Sequence, residues 1–177
     1  MDTFLIIFLG IVLAVAAVTD LRFRKIPNLL TFPAMATALC YHLATGGLEG
    51  FLFSASGLVL GIAVLIVPFL LGGMGAGDTK LMGVVGATLG PKGVFIAALL
   101  TCLFGGIYAL IICIIHRDVR KNILRRCWKA IKLFVYTKQV VVITEDMKEK
   151  QPELCYGIAI VTATLFYVWW SYQVTSL

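Results

Sequence analysis

The sequence predicts an all-α integral membrane protein: one domain over residues 1–177, a bundle of about six transmembrane helices with a basic amphipathic segment in the cytoplasm. Three observations carry that expectation. Of the 177 residues, 60% are apolar and 14% charged, against about 45–50% and about 25% in a soluble domain, and the mean hydropathy is +0.99. The apolar residues gather into long runs that do not alternate, which suits helices and not barrel strands. Finally, ten of the 15 Lys and Arg fall within residues 116–153. Such a composition excludes a soluble enzyme, a disordered chain and a nucleic-acid binder.

The runs are Thr3–Thr19, Leu29–Thr45, Phe51–Leu71, Thr79–Gly90, Gly93–Ile115 and Leu154–Tyr172. All but the fourth approach the ~20 residues that cross a hydrocarbon core. Ala14-Val15-Ala16 has the pattern of a signal-peptide cleavage site, yet Asp2 precedes the run and Arg22, Arg24 and Lys25 follow it. An uncleaved helix with an external N-terminus fits that charge order. Loops then alternate: Asp20–Asn28 cytoplasmic, Gly46–Gly50 outside, Gly72–Asp78 cytoplasmic, Pro91-Lys92 outside and His116–Glu153 cytoplasmic, which leaves the C-terminus outside. The positive-inside rule requires the short fourth run to cross, since otherwise the most basic segment faces the wrong way. Pro33 and Pro68 are expected to kink their helices, and Pro27-Asn28 to open the second, with Asn28 as its cap.

Asp78 to Gly90 rises only ~18 Å as a helix, well short of a ~30 Å core. With Gly90 at the outer boundary, Asp78 and the approach Gly72-Gly73-Met74-Gly75-Ala76-Gly77 lie at membrane depth. Irregular backbone there needs protein or water around it, so a wet cavity open to the cytoplasm is expected beside Asp78. Of nine Asp and Glu, five lie in 116–153, and Asp2 and Glu49 are external. Asp20 and Asp78 remain, 58 residues apart and on one membrane face. Ionisable groups at such depth are functional candidates. The structural alternatives are a salt bridge from Asp20 to Arg22 or Arg24, and an N-cap role for Asp78. Gly75 and Gly77 are expected to permit positive φ and close approach of an extended peptide.

Two adjacent carboxylates share a proton, one acting as base on a water while the protonated one donates to a carbonyl oxygen. That is the chemistry of an aspartic protease. Gly75-Ala76-Gly77-Asp78 matches the G-x-G-D motif of intramembrane aspartic proteases, and Gly77-Asp78-Thr79-Lys80-Leu81 resembles its form in type IV prepilin peptidases. Asp20-Leu21-Arg22 with Lys25-Ile26-Pro27-Asn28 resembles that family's first-aspartate loop. Cys155-Tyr156-Gly157-Ile158-Ala159-Ile160 resembles its last-helix motif less strictly.

The resemblance implies an endopeptidase that removes a prepilin leader at the cytoplasmic membrane face, after a Gly preceding the pilin's hydrophobic helix, with Asp20 and Asp78 as the catalytic pair. It further implies the short Flp/tight-adherence type, because the N-terminal domain with C-x-x-C pairs is not found, and hence no N-methyltransferase activity. Gly75, Gly77 and Lys80 are expected to bind substrate or support the loop, Lys80 otherwise being a snorkelling lysine.

No cofactor or metal is expected. The five cysteines form no C-x-x-C pair, only His42 and His116 accompany them, and most are expected as small buried hydrophobes. Val119, Ile123, Cys127, Ile131 and Phe134 recur at helical spacing among Arg and Lys, as in a helix lying on anionic lipid. Gly57–Gly61 and Gly86–Gly90 both spell G-x-x-x-G, expected to pack within the chain. Three rival functions have sequence handles. A serine protease would use Ser54 or Ser56 with His42 or His116. A metalloprotease would need the absent H-E-x-x-H. A small ion or proton transporter would use the same two carboxylates.

Overall fold

The computed structural model describes residues 3–23, 25–70, 74–115 and 156–175, and these are nearly all helical. Four helices follow in order: α1 (Thr3–Phe23), α2 (Asn28–Leu70), α3 (Ala76–Ile115) and α4 (Tyr156–Thr175). Among the described residues, α1, α2 and the Ala76–Tyr108 part of α3 are long and apolar enough to cross a membrane. The second half of α4 carries Trp169, Trp170, Tyr172 and Gln173, and α4 does not reach that apolarity. The basic segment lies outside the described residues. The described residues up to Gly105 and those of α4 form one compact unit, which holds the core and both Asp20 and Asp78.

Two helices reverse inside themselves. Gly47 (φ 58°, ψ −143°) interrupts α2 and Gly90 (φ 73°, ψ −178°) interrupts α3. Both angles lie where a Cβ is disfavoured, so glycine turns the chain in one residue. The expected external loops Gly46–Gly50 and Pro91-Lys92 are therefore reduced to tight corners. Neighbours give each arm its direction. Asn28 meets Lys80, Met35 meets Gly83 and His42 meets Thr88, so the first arm of α2 runs alongside α3. Ser54 meets Ala87, Gly57 meets Gly86 and Gly61 meets Met82, so the second arm runs back. Pro33 and Pro68, where kinks are expected, keep helical dihedrals; only Gly47 departs.

The short run is the centre of the bundle. Every residue from 81 to 90 is buried, so this arm finds partners within the chain all round. Leu81, Met82, Val84 and Val85 join Leu9 and Leu13 of α1, Leu65 of α2 and Ile160 of α4 in one core. The second arm of α2 crosses this central arm at Gly57 and Gly86, where a methyl on either would collide with the carbonyl of the other. The G-x-x-x-G pairs thus serve a crossing within the chain, as expected.

In α1 the buried residues are Leu5, Leu9, Val12, Leu13, Ala16 and Asp20. Steps of three and four residues place them on one stripe, while Ile7, Ile11 and Val18 face outward. Outward apolar side chains suit lipid. Cys40 and Cys102 also lie at the surface. The expectation of buried cysteines fails there, because next to lipid a thiol gains nothing by being turned inward.

Candidate active site

Asp20 ends the inward stripe of α1. The helix runs on to Phe23, so Asp20 belongs to its last turns and is not the start of a loop. The extra turn keeps it in phase with Leu9, Leu13 and Ala16, and only 7% of its surface is exposed. Its carboxyl group faces the backbone N–H of Gly157 in the first turn of α4. A Cβ at position 157 would strike Asp20 Oδ2. The salt-bridge alternative fails for Arg22: its guanidinium lies over the Phe23 ring, 5.8 Å from the centroid. Asp20 Oδ2 is buried with no hydrogen-bond partner among the described residues.

Asp78 stands at the head of the central arm, 8% exposed. The Gly75 carbonyl accepts hydrogen bonds from the N–H groups of Asp78 (3.1 Å) and Thr79 (3.4 Å). The Gly75 N–H donates to Asp78 Oδ2 at 3.2 Å. The last bond is one half of a capping box, the side chain of Asp78 reaching back to the N–H of the N-cap, Gly75, which has no side chain to complete the pair. The cap expected at Asp78 thus falls three residues earlier, and Asp78 reaches back to it.

Neither Gly75 nor Gly77 has positive φ; among the described glycines only Gly47 and Gly90 do. Their smallness serves close packing instead. A Cβ on Gly75 would come 3.3 Å from Asp78 Oδ2, and one on Gly77 would come 3.0 Å from the Ile26 Cβ.

Asp20 and Asp78 lie within electrostatic reach of each other, and Tyr156 within reach of Asp78. Each carboxyl group has a backbone N–H at the N-terminus of a helix: Asp20 that of Gly157 in the first turn of α4, Asp78 that of Gly75, the N-cap of α3. The positive ends of two helix dipoles therefore face the carboxyl pair. A carboxyl pair that shares one proton is equipped to activate a water against a carbonyl carbon.

Lys80 belongs to the same end of the bundle. Its Nζ donates to Asn28 Oδ1 at 2.7 Å and lies 5.1 Å from the centroid of the Phe32 ring. It is not a lysine free in solvent. Nor is Asn28 the cap of α2, since the Pro27 carbonyl accepts from Leu30 N (3.0 Å) and Thr31 N (3.4 Å), leaving the Asn28 side chain for Lys80.

The serine alternative loses its catalytic pair. Ser54 Oγ donates to the Ala87 carbonyl at 2.7 Å, and His42 Nε2 meets the Thr88 carbonyl at 3.3 Å. Both satisfy carbonyls that the chain reversal at Gly90 leaves without helical partners, at the end of the bundle opposite Asp78. Ser56 Oγ turns back to the Phe53 carbonyl at 2.9 Å. Among the described residues no group of three or more His, Cys, Asp or Glu is placed to hold a metal ion.

A family model described as the type IV leader peptidase family matches residues 7–110, more than half of the chain. The chain belongs to the type IV leader peptidase family. The matched stretch holds Asp20, Gly75, Gly77, Asp78 and Lys80, and stops short of Gly157. A relative from Bacillus subtilis (strain 168), the "Prepilin leader peptidase/N-methyltransferase", is 34% identical over 106 residues. That match covers 58% of this chain and 42% of the relative. No solved structure matches.

Asp20, Gly75, Gly77, Asp78 and Lys80 lie together at one end of the bundle, as the loop order predicts. The sequence does not point to Asn28 and Gly157 as their structural partners. The handle for Asn28 was its place at the close of Lys25-Ile26-Pro27-Asn28. The handle for Gly157 was a glycine beside the start of an apolar run, where a larger residue would be equally acceptable to the helix.

Proposed function

We propose that this chain is a membrane-embedded aspartic endopeptidase that removes the leader of type IV, Flp-like prepilins at the cytoplasmic face. The observation that carries the reading is that Asp20 and Asp78 lie within electrostatic reach of each other, each beside a helix N-terminus, at the head of a central arm buried on every side. One carboxylate takes a proton from water, and the water oxygen bonds to the scissile carbonyl carbon. The other carboxyl group gives its proton to the carbonyl oxygen. As the C–N bond breaks, the leaving nitrogen takes up the proton first removed from water, and the proton on the former carbonyl oxygen returns to the carboxylate that gave it. Gly75 and Gly77 support the turn that presents Asp78.

The proposed topology has about six crossings, both termini outside and the aspartates facing the cytoplasm, with the 116–153 segment on anionic lipid. The substrate is a leader followed by a hydrophobic helix. The methyltransferase activity in the relative's name is not carried over to this chain.

Co-expression with a Flp-like prepilin tests the reading. Wild type is expected to cleave it after Gly and Asp78→Asn to leave it intact; an unchanged product with Asp78→Asn removes the proposed role. The transporter alternative predicts the reverse pattern for the purified chain: ion flux in liposomes and no cleavage. Cysteine accessibility at position 76 tests the wet cavity, with labelling from the cytoplasmic side expected.

A further inference from the structure

The α1–α2 connection is fastened to the first turn of α3 at two points. Ile26, 8% exposed, packs on Gly77, where a Cβ would come 3.0 Å from Ile26 Cβ and 3.4 Å from its N. Three residues further along α3, Lys80 closes on Asn28 at 2.7 Å and on the Phe32 ring at 5.1 Å. Asp78 stands between these two points, and Asp20 lies on the helix that leads into the fastened segment. The Lys80 ammonium is held by a neutral amide oxygen and a ring face, and both come from the start of α2.

We propose that Asn28 and Lys80 are positioning residues: their hydrogen bond, backed by Phe32, clamps the segment after Asp20 onto the turn bearing Asp78 and so sets the spacing of the two carboxyl groups. This rests on the reading of Asp20 and Asp78 as the catalytic pair. The clamp acts through geometry and touches no substrate. A cation held between an amide oxygen and an aromatic face has little freedom left to follow a moving partner.

Two measurements on the full chain in detergent test this. The first uses a peptide with a basic leader, a Gly and an apolar helix. Asn28→Ala and Lys80→Met are each expected to lower kcat about tenfold with KM held within about twofold, as a displaced reacting group does. The double variant is expected to be no slower than either single one, because both remove the same bond. Asn28→Asp, which keeps the acceptor oxygen, is expected to retain the wild-type rate. If Lys80 binds substrate instead, Lys80→Met raises KM, Asn28→Ala leaves the rate unchanged and the two effects multiply; that result overturns the clamp.

The second measurement does not need catalysis. Cysteines are placed at positions 20 and 78 in a chain whose five native cysteines are alanine, and their oxidative cross-linking is followed. Asn28→Ala is expected to lower the yield severalfold and Asn28→Asp to preserve it; equal yields in all three overturn the clamp. Cleavage by Asp20→Asn or Asp78→Asn would defeat the reading of the two aspartates as the catalytic pair, and the cross-linking result would still decide the clamp.

Discussion

Gly157 in the first turn of α4 lies directly against the Asp20 carboxyl group near the end of α1, leaving no room for a Cβ. The contact joins the helix ahead of the G-x-G-D turn to a helix some eighty positions beyond it. It also sets a buried carboxyl group beside backbone N–H groups that have no partner within their own helix.

Gly157→Ala is therefore expected to push Asp20 away from its place and lower kcat for prepilin cleavage by about tenfold or more. Gly10→Ala, where a Cβ meets open space in the same α1, is expected to leave the rate unchanged. Steady-state kinetics on both variants decide the matter, and a Gly157→Ala enzyme with wild-type kcat would contradict the seat described for Asp20.

At the crossing of α2 and α3, Gly86→Ala forces a methyl onto the Gly57 carbonyl. Overpacking of this kind costs about 1–3 kcal/mol. A lowered thermal midpoint in detergent is expected, while Gly46→Ala, with nothing near its Cβ, is expected to keep the wild-type midpoint. Equal midpoints would mean that the two arms do not meet at Gly57 and Gly86.

Ser54→Ala removes the donor to the Ala87 carbonyl and leaves that buried oxygen unpaired. The expected loss is about 1 kcal/mol of stability, with cleavage continuing at the wild-type rate below the melting range. Abolished cleavage in a folded Ser54→Ala chain would revive a serine nucleophile.

The course of the chain was legible where local chemistry decides it. The charges of 116–153 and the brevity of 79–90 led to Asp78 at a helix head, and the reversals fall at Gly47 and Gly90, within or beside the loops expected between apolar runs. The limits of α1 were less legible. Asp20 interrupts the apolar composition but not the helical phase, and phase is invisible when both faces of a helix are apolar. Asn28 was expected to cap α2 because Asn is a good cap, yet Pro27 offers its carbonyl one residue earlier and Lys80, 52 positions away, claims the amide. Positive φ is the reason the sequence offers for glycine at 75 and 77, whereas close packing is the reason in the folded chain. Motif spacing records that a side chain is missing, whereas the atoms occupying its place, Asp78 Oδ2 and Ile26 Cβ, come from the folded arrangement.

Because residues 81–90 are enclosed by protein on all sides, the ruler for a substitution there is volume and not oiliness. A leucine in place of Val84 is as compatible with lipid as valine, but lipid is not its neighbour. On the outward stripe of α1 the same exchange at Val18 meets a fluid that rearranges around it. Sequence drift should therefore run freely along the outer surface and stall in the central arm, even though a hydropathy scale reads both places alike.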